Sequence, residues 1–255
     1  MALEQDIAKL IEASNDLTTI VDNKIQDIDN KVLSAKSTVD GYINQVNNYI
    51  DSTRGKQSHF RLTKNQALLP NSDSTFPLNW SGGFVKSAKV VETVVTGSLP
   101  EQRSALAREF LQAINSDRQH FAGSFKIWEF EYYPNRRGEN QGQAAYLMYQ
   151  YSRRTTVSTA AAIVKHIKGV VPNGYWCQGL EANQPAKLCG QLLSHSGRNS
   201  YTHCHPYVNG MGKPETETGI IQVALPAVVT GDVDLTNKEW GQFAYLGDAD
   251  QPAYN

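Results

Sequence analysis

The chain has 255 residues, with 24 Lys or Arg against 25 Asp or Glu, and 40% of its side chains are hydrophobic. A formal charge of −1 excludes the strongly basic surface that nucleic-acid binding draws on, and there is no run of about twenty apolar residues to insert into a membrane. The three cysteines, Cys177, Cys189 and Cys204, are an odd number in a chain this long. That argues against a disulfide framework and for synthesis in a reducing cytoplasm, with a Cys177–Cys189 bridge left open for an oxidising medium.

Residues 1–51 read as one long helix. Leu3, Ile7, Leu10, Leu17 and Val21 recur at steps of three and four, with Ser14 in the gap, and the series continues through Ile25, Ile28, Val32, Ala35, Val39, Tyr42, Val46 and Tyr49. A seam this narrow fits a parallel coiled coil, with a long helix packed on its own domain as the alternative. One set of core positions is β-branched (Ile25, Val32, Val39, Val46), and the other mixes Val21, Ile28, Ala35, Tyr42 and Tyr49 without the Leu that favours two strands. Tyrosine in the seam needs room, which points to three helices. Two successive steps of four at Leu17, Val21 and Ile25 form a stutter that locally unwinds the supercoil. This segment is acidic, with four Lys against nine Asp or Glu, a net of −5, and it does not resemble a secretory signal. The other residues carry a mild net of +4.

The expected fold class is α+β, in four parts. The coiled-coil stalk at 1–51 is followed by an extended neck at 52–82, which lacks a clear period and could wrap neighbouring subunits. A mixed α+β domain occupies 83–169, and a β-rich, loop-heavy tip occupies 170–255.

Within the third part, Val85 to Thr96 reads as a strand. Ser98 with Glu101 reads as the capping box of a helix that buries Leu106, Phe110, Leu111 and Ile114. Ser124 to Tyr133 is a strand with Trp128, Phe130 and Tyr132 on one face and Phe125 and Ile127 on the other. Ala144 to Tyr151 is expected to pair back onto it as a hairpin. Val157 to Lys168 matches helical spacing through Ala160, Ile163, Val164 and Ile167. In the tip, the clearest strand runs from Ile220 to Val229.

The sharpest local constellation is Thr202-His203-Cys204-His205-Pro206. On a strand, His203 and His205 share one face. On a threefold axis the pair becomes six imidazoles, a donor set that suits an octahedral metal and favours iron. Surface histidines without a metal satisfy the same two-residue signal. A zinc site made of Cys177, Cys189, His203, Cys204 and His205 has suitable ligands but no paired C-x₂-C element. Glu129 and Glu131 are expected on the solvent face of their strand, not as a catalytic carboxylate pair. The tip offers Tyr175, Trp176, Arg198, Tyr201 and Tyr207, side chains suited to binding a carbohydrate or protein surface.

The heptad-patterned N-terminal helix, the glycine-rich β tip and the His-x-His pair together resemble bacteriophage tail-fibre and receptor-binding virion proteins. The resemblance covers the first fifty residues and parts of the tip. It implies a homotrimeric structural protein of the virion, assembled in the host cytoplasm, with no enzymatic activity. Val21, Ile25, Ile28, Val32, Val39, Tyr42, Val46 and Tyr49 would trimerise, and His203 and His205 of three chains would hold an axial iron. Tyr175, Trp176, Arg198, Tyr201 and Tyr207 would meet a host-surface glycan or protein. Its partners would be its own copies, other virion proteins and the host surface. Two other readings stay open: a collar or head fibre that connects virion proteins, and a metal-dependent glycan hydrolase.

Overall fold

The computed structural model describes residues 2–54, 58–138, 142–154, 157–193 and 200–245, and for 152–154 and 200–203 it describes the backbone. The chain divides into two compact units, 1–57 and 58–255.

The first unit is one helix, α1 (Ala2–Arg54), about 80 Å long at 1.5 Å per residue. The first proline of the chain is Pro70, so nothing interrupts the backbone ladder. Gly41 sits within the helix, with open space where a Cβ would stand. The hydroxyls of Thr18, Thr19 and Thr38 donate to the carbonyls four residues back, and Lys31 pairs with Asp27 at 3.0 Å. The large apolar seam residues from Leu3 to Tyr49 are 46–72% exposed. Ile11, Ile20, Leu33, Ile43 and Ile50 are exposed next to seam residues, so the apolar stripe is wider than the seam at intervals along the helix.

The second unit is built on β-structure. Its elements in chain order are β1 (Ser81–Gly82), β2 (Val85–Val94), α2 (Ala105–Gln112), β3 (Phe125–Tyr132), β4 (Ala145–Tyr146), β5 (Met148–Tyr149), β6 (Tyr151–Arg154), β7 (Ser158–Lys168), β8 (Lys187–Leu193), β9 (Ser200–His203), β10 (Tyr207–Val208) and β11 (Gly219–Thr230). Five of these strands form an antiparallel sheet in the order β2-β3-β11-β7-β8. The sheet takes β2, β3 and β7 from before residue 170 and β8 and β11 from after it.

Both faces of this sheet are buried. Trp128, Phe130 and Tyr132 face one core, with Val164, Ile221 and Val223, and Phe125 and Ile127 face the other, with Ile163, Ala224 and Val229. The alternation expected for β3 is therefore observed on both sides. The second face is covered by α2, through Ala107, Phe110 and Leu111, and by Val233 and Trp240.

The expected helix at Val157–Lys168 is instead the central strand β7. Its run Ser158 to Val164 is buried on both faces and apolar from Ala160 on, which erases the two-residue alternation and leaves a pattern that helical spacing also fits. The expected hairpin of Ala144–Tyr151 with β3 does not form either. β3 already has β2 and β11 as neighbours, and β4 and β5 pair with β10 and β1.

The cap of α2 also falls later than expected. Pro100–Gln102 is a single 3₁₀ turn, and Ser104 caps the helix, its Oγ accepting from the Ala107 N–H at 3.0 Å while its hydroxyl donates to the Glu92 carboxylate. The buried Arg103 holds the preceding loop by donating to the carbonyls of Ser98, Arg118 and Gln119.

Residues 58–80 pack on their own domain and do not extend away as a neck. The backbone of Phe60 to Leu62 bonds to Thr230 and Val228, and Leu68 and Trp80 are buried in the first core. Gln150 fastens this segment to the site end of the domain, accepting from Lys64 N–H at 2.9 Å and donating to Lys64 O at 2.8 Å.

Close strand contact leaves no room for a side chain at Gly190. A Cβ at Gly190 would stand 2.5 Å from both the Ala160 carbonyl oxygen and the Ala161 Cβ. Gly190→Ala is expected to destabilise the domain by about 1–3 kcal/mol, as overpacking against backbone does. Urea titration followed by tryptophan fluorescence measures it directly.

Candidate binding site

Three two-stranded ribbons build the site. β4 pairs with β10, setting Tyr146 opposite Tyr207; β5 pairs with β1, setting Tyr149 opposite Ser81; β6 pairs with β9, setting Tyr151 opposite His203. Between them, Leu147 N–H donates to Pro206 O, and Cys204 N–H to Gln150 O. Leu147 and Met148 point into the core, which leaves Tyr146 and Tyr149 at the surface. A bridge between Asn173 and Tyr207, closed by hydrogen bonds of 2.9 and 2.8 Å, brings in Tyr175. Gly174 (φ +82°) turns the chain just before it, a conformation that favours glycine.

His205 sits at the centre. Its ring centroid is 4.7 Å from that of Tyr146, 4.8 Å from Tyr207, 5.7 Å from Tyr175 and 6.0 Å from Tyr149. Tyr149 in turn contacts Tyr146 and Tyr151. Tyr151 and Tyr207 are 52% and 42% exposed, while His205 is 5% exposed. The result is an aromatic surface with an imidazole as its floor.

Burial moves two of these phenols, Tyr149 and Tyr207, further towards the protonated form. Burial raises the pKa of Tyr149, with Tyr151 and Tyr146 adding to it. Burial also raises that of Tyr207, helped by Tyr175 and opposed by Arg136. Neutral phenols supply flat faces and hydroxyl donors, which suits stacking and hydrogen bonding to a polar ligand.

Of the side chains expected from sequence to bind, Tyr175 and Tyr207 are brought together here. Trp176 is not among them: it is 1% exposed, and its Nε1–H donates to the Cys204 carbonyl at 3.0 Å, so it holds the core beneath the site. Arg198 lies outside the described residues, as does the side chain of Tyr201, whose backbone pairs with Arg153. Arg136, which beside Arg137 the sequence offers as a contact for anionic glycans or, more simply, as a solvated turn charge, stands at the rim of the cluster. Tyr146, Tyr149 and Tyr151 belong to it although the sequence pattern does not single them out as binding residues. The one signal that points to them is the Tyr-Leu-Met-Tyr-Gln-Tyr run at 146–151.

The metal expectation meets a specific geometry. His203 is the last residue of β9, with its side chain outside the described residues, and His205 is enclosed by tyrosines of its own chain. With 5% exposure His205 has little surface to share with other chains on an axis. Within one chain the His205 ring is thus packed against tyrosines. Among the described residues no group of three or more His, Cys, Asp or Glu could hold a metal ion.

The three cysteines are free and buried in the first core. Burial pushes the Cys189 thiol up to about 12 and the Cys204 thiol up to about 11, and raises Cys177 as well. Since the thiolate is the reactive form, native protein is expected to resist alkylation at all three until it unfolds. Iodoacetamide labelling with and without denaturant, read by mass spectrometry, checks this.

Glu129 and Glu131 stand on the half-exposed part of the second sheet face. Glu129 binds Lys89 at 3.0 Å and Gln222 at 2.9 Å. Glu131 accepts from Thr218 at 2.5 Å, Lys86 at 3.1 Å and Ser87 at 3.3 Å. The Thr218 hydroxyl, with Lys86 and Ser87 assisting and burial opposing, holds the Glu131 carboxyl below its ordinary 4.5. A depressed folded pKa contributes stability that is present above the ordinary value and lost as pH falls through the folded one. Thermal unfolding midpoints are therefore expected to fall below pH 4.5, and less steeply in Glu131→Gln.

No protein-family model, curated protein or solved structure matches the chain.

Proposed function

We propose that the chain is a structural protein of a virion fibre, trimeric through α1, which attaches to a host-cell surface by the aromatic site around His205. The observation that carries this reading is a pair of unsatisfied surfaces. One is an apolar heptad seam left exposed along the whole helix, and the other is an exposed tyrosine cluster on a separately folded body. Rings such as Tyr151 and Tyr207 supply contact area with little side-chain entropy to lose, the property that recurs in recognition surfaces. Three copies on one stalk would multiply a weak individual contact.

The double variant Tyr151→Ala/Tyr207→Ala tests the attachment. Binding to immobilised bacterial surface polysaccharide is expected to drop about tenfold or more, since aromatic anchors dominate such contacts. The unfolding midpoint should move little, because both rings are exposed. Unchanged binding would remove the site from this role.

A further inference from the structure

Arg136 stands at the rim of the tyrosine cluster, on the turn that follows β3. Its guanidinium lies over the Tyr146 ring at 5.7 Å and the Phe84 ring at 6.0 Å. Nε donates to Ala144 O at 3.1 Å and Nη1 to Gln143 Oε1 at 2.8 Å. Among the described residues these partners are all uncharged. Its neighbour Arg137 differs, being paired with Glu215 at 3.3 Å and stacked on Tyr133. Arg136 also acts on the site electrostatically: its charge opposes the rise that burial imposes on the Tyr207 hydroxyl. The β4–β10 pairing sets Tyr146, under the guanidinium, opposite Tyr207, and Tyr175 lies 6.4 Å from Tyr207, so the cation and these rings share one surface.

We propose that this surface takes a carboxylate-bearing sugar, with the apolar face of the sugar ring against Tyr207 and Tyr175 and the carboxylate on the Arg136 guanidinium. The inference rests on the attachment reading above and names its ligand class. A planar guanidinium matches a carboxylate with two parallel hydrogen bonds, a geometry lysine cannot reproduce. Stacking between Tyr146 and Phe84, with two uncharged acceptors behind, holds that fork in place before the ligand arrives. The neutral phenols add donors for sugar hydroxyls without repelling an anion.

The test uses the full chain and a set of acidic oligosaccharides, uronates among them, each beside its carboxyl-reduced neutral counterpart. Wild-type protein is expected to bind at least one acidic member about tenfold tighter than its reduced form, the scale of a hydrogen-bonded charge. The preference should shrink in about 1 M salt, where screening reaches ~3 Å. Arg136→Gln should bring acidic binding down to the level of the carboxyl-reduced form. Arg136→Lys keeps the charge but not the fork, so it should retain only part of the preference; it also serves if the Gln variant fails to fold. Equal binding of acidic and reduced forms by wild type, or a preference that survives Arg136→Gln and Arg136→Lys, overturns the proposal while the attachment reading stands. Absence of binding to every member, acidic and reduced, overturns both.

Discussion

On the proposed trimeric reading, replacing Val32 and Val39 together with Asp is expected to convert the assembly to a monomer, read by sedimentation equilibrium. Both side chains lie on the exposed seam of α1. In a coiled coil each buried valine contributes about 1.5–3 kcal/mol. The substitution removes that contribution twice per chain and places carboxylates in an apolar core, where an unpaired charge is costly. An isolated helix of this composition has little else to hold it, because most helical stability in proteins comes from packing of the apolar face.

The distribution of tryptophan separates the two units in this experiment. Trp80, Trp128, Trp176 and Trp240 all belong to residues 58–255. The variant should lose far-UV helical signal while tryptophan fluorescence still reports a cooperative transition of the body. A wild-type chain that sediments as a monomer, or a variant that stays assembled, would remove the seam from its role. The control is Ser14→Ile, which fills the polar gap in the same seam and should raise the melting temperature of the helix.

Truncating Trp128 to alanine is expected to cost the body about 3–5 kcal/mol, the range for large aromatic side chains in cores. Trp128 is fully buried on β3, stacked with Phe130 at 6.1 Å, and its Nε1–H donates to the Leu68 carbonyl at 2.7 Å. The truncation opens a cavity and removes the donor from a buried carbonyl, and each loss is destabilising in itself. Because Leu68 belongs to the segment at 58–80, the variant also loosens the strap that Gln150 fastens beside the site. Denaturant unfolding followed by the remaining tryptophans measures the loss. Trp128→Phe, which keeps most of the volume and lacks the donor, should fall between wild type and alanine. A cost near that of a surface substitution, about 0.5 kcal/mol or less, would contradict this packing.

What is legible in the sequence depends on residues that lie near one another along the chain. The helix of α1 follows from its apolar spacing, a property of each turn and its neighbours. β3 follows from strict alternation, and Trp128, Phe130 and Tyr132 indeed face a different core from Phe125 and Ile127. β11 is visible as a β-branched run with few polar interruptions. Glu129 and Glu131, expected on a solvent face, instead share the covered face of Phe125 and Ile127, with side chains 19% and 23% exposed beside Lys89 and Lys86. In the site, two of the five side chains expected to bind, Tyr175 and Tyr207, lie together in the cluster.

Long-range contact decided the rest. β7 reads as a helix from residues 157–168, because burial on both faces removes the polar positions that distinguish the two periods. Only pairing with β11 and β8 resolves it. Trp176 and Tyr175 are adjacent and chemically alike, yet one donates to Cys204 inside the core and the other lies beside His205 at the surface. Which neighbour is buried depends on where the Asn173–Tyr207 bridge holds their loop. The tyrosine surface itself joins residues 146–151 to residues 175 and 205–207, through ribbons whose partners lie about sixty residues apart. The amino-acid sequence thus determined the elements whose period is local. The tertiary structure alone determined the site, because loop closure and strand pairing choose which distant aromatic rings meet.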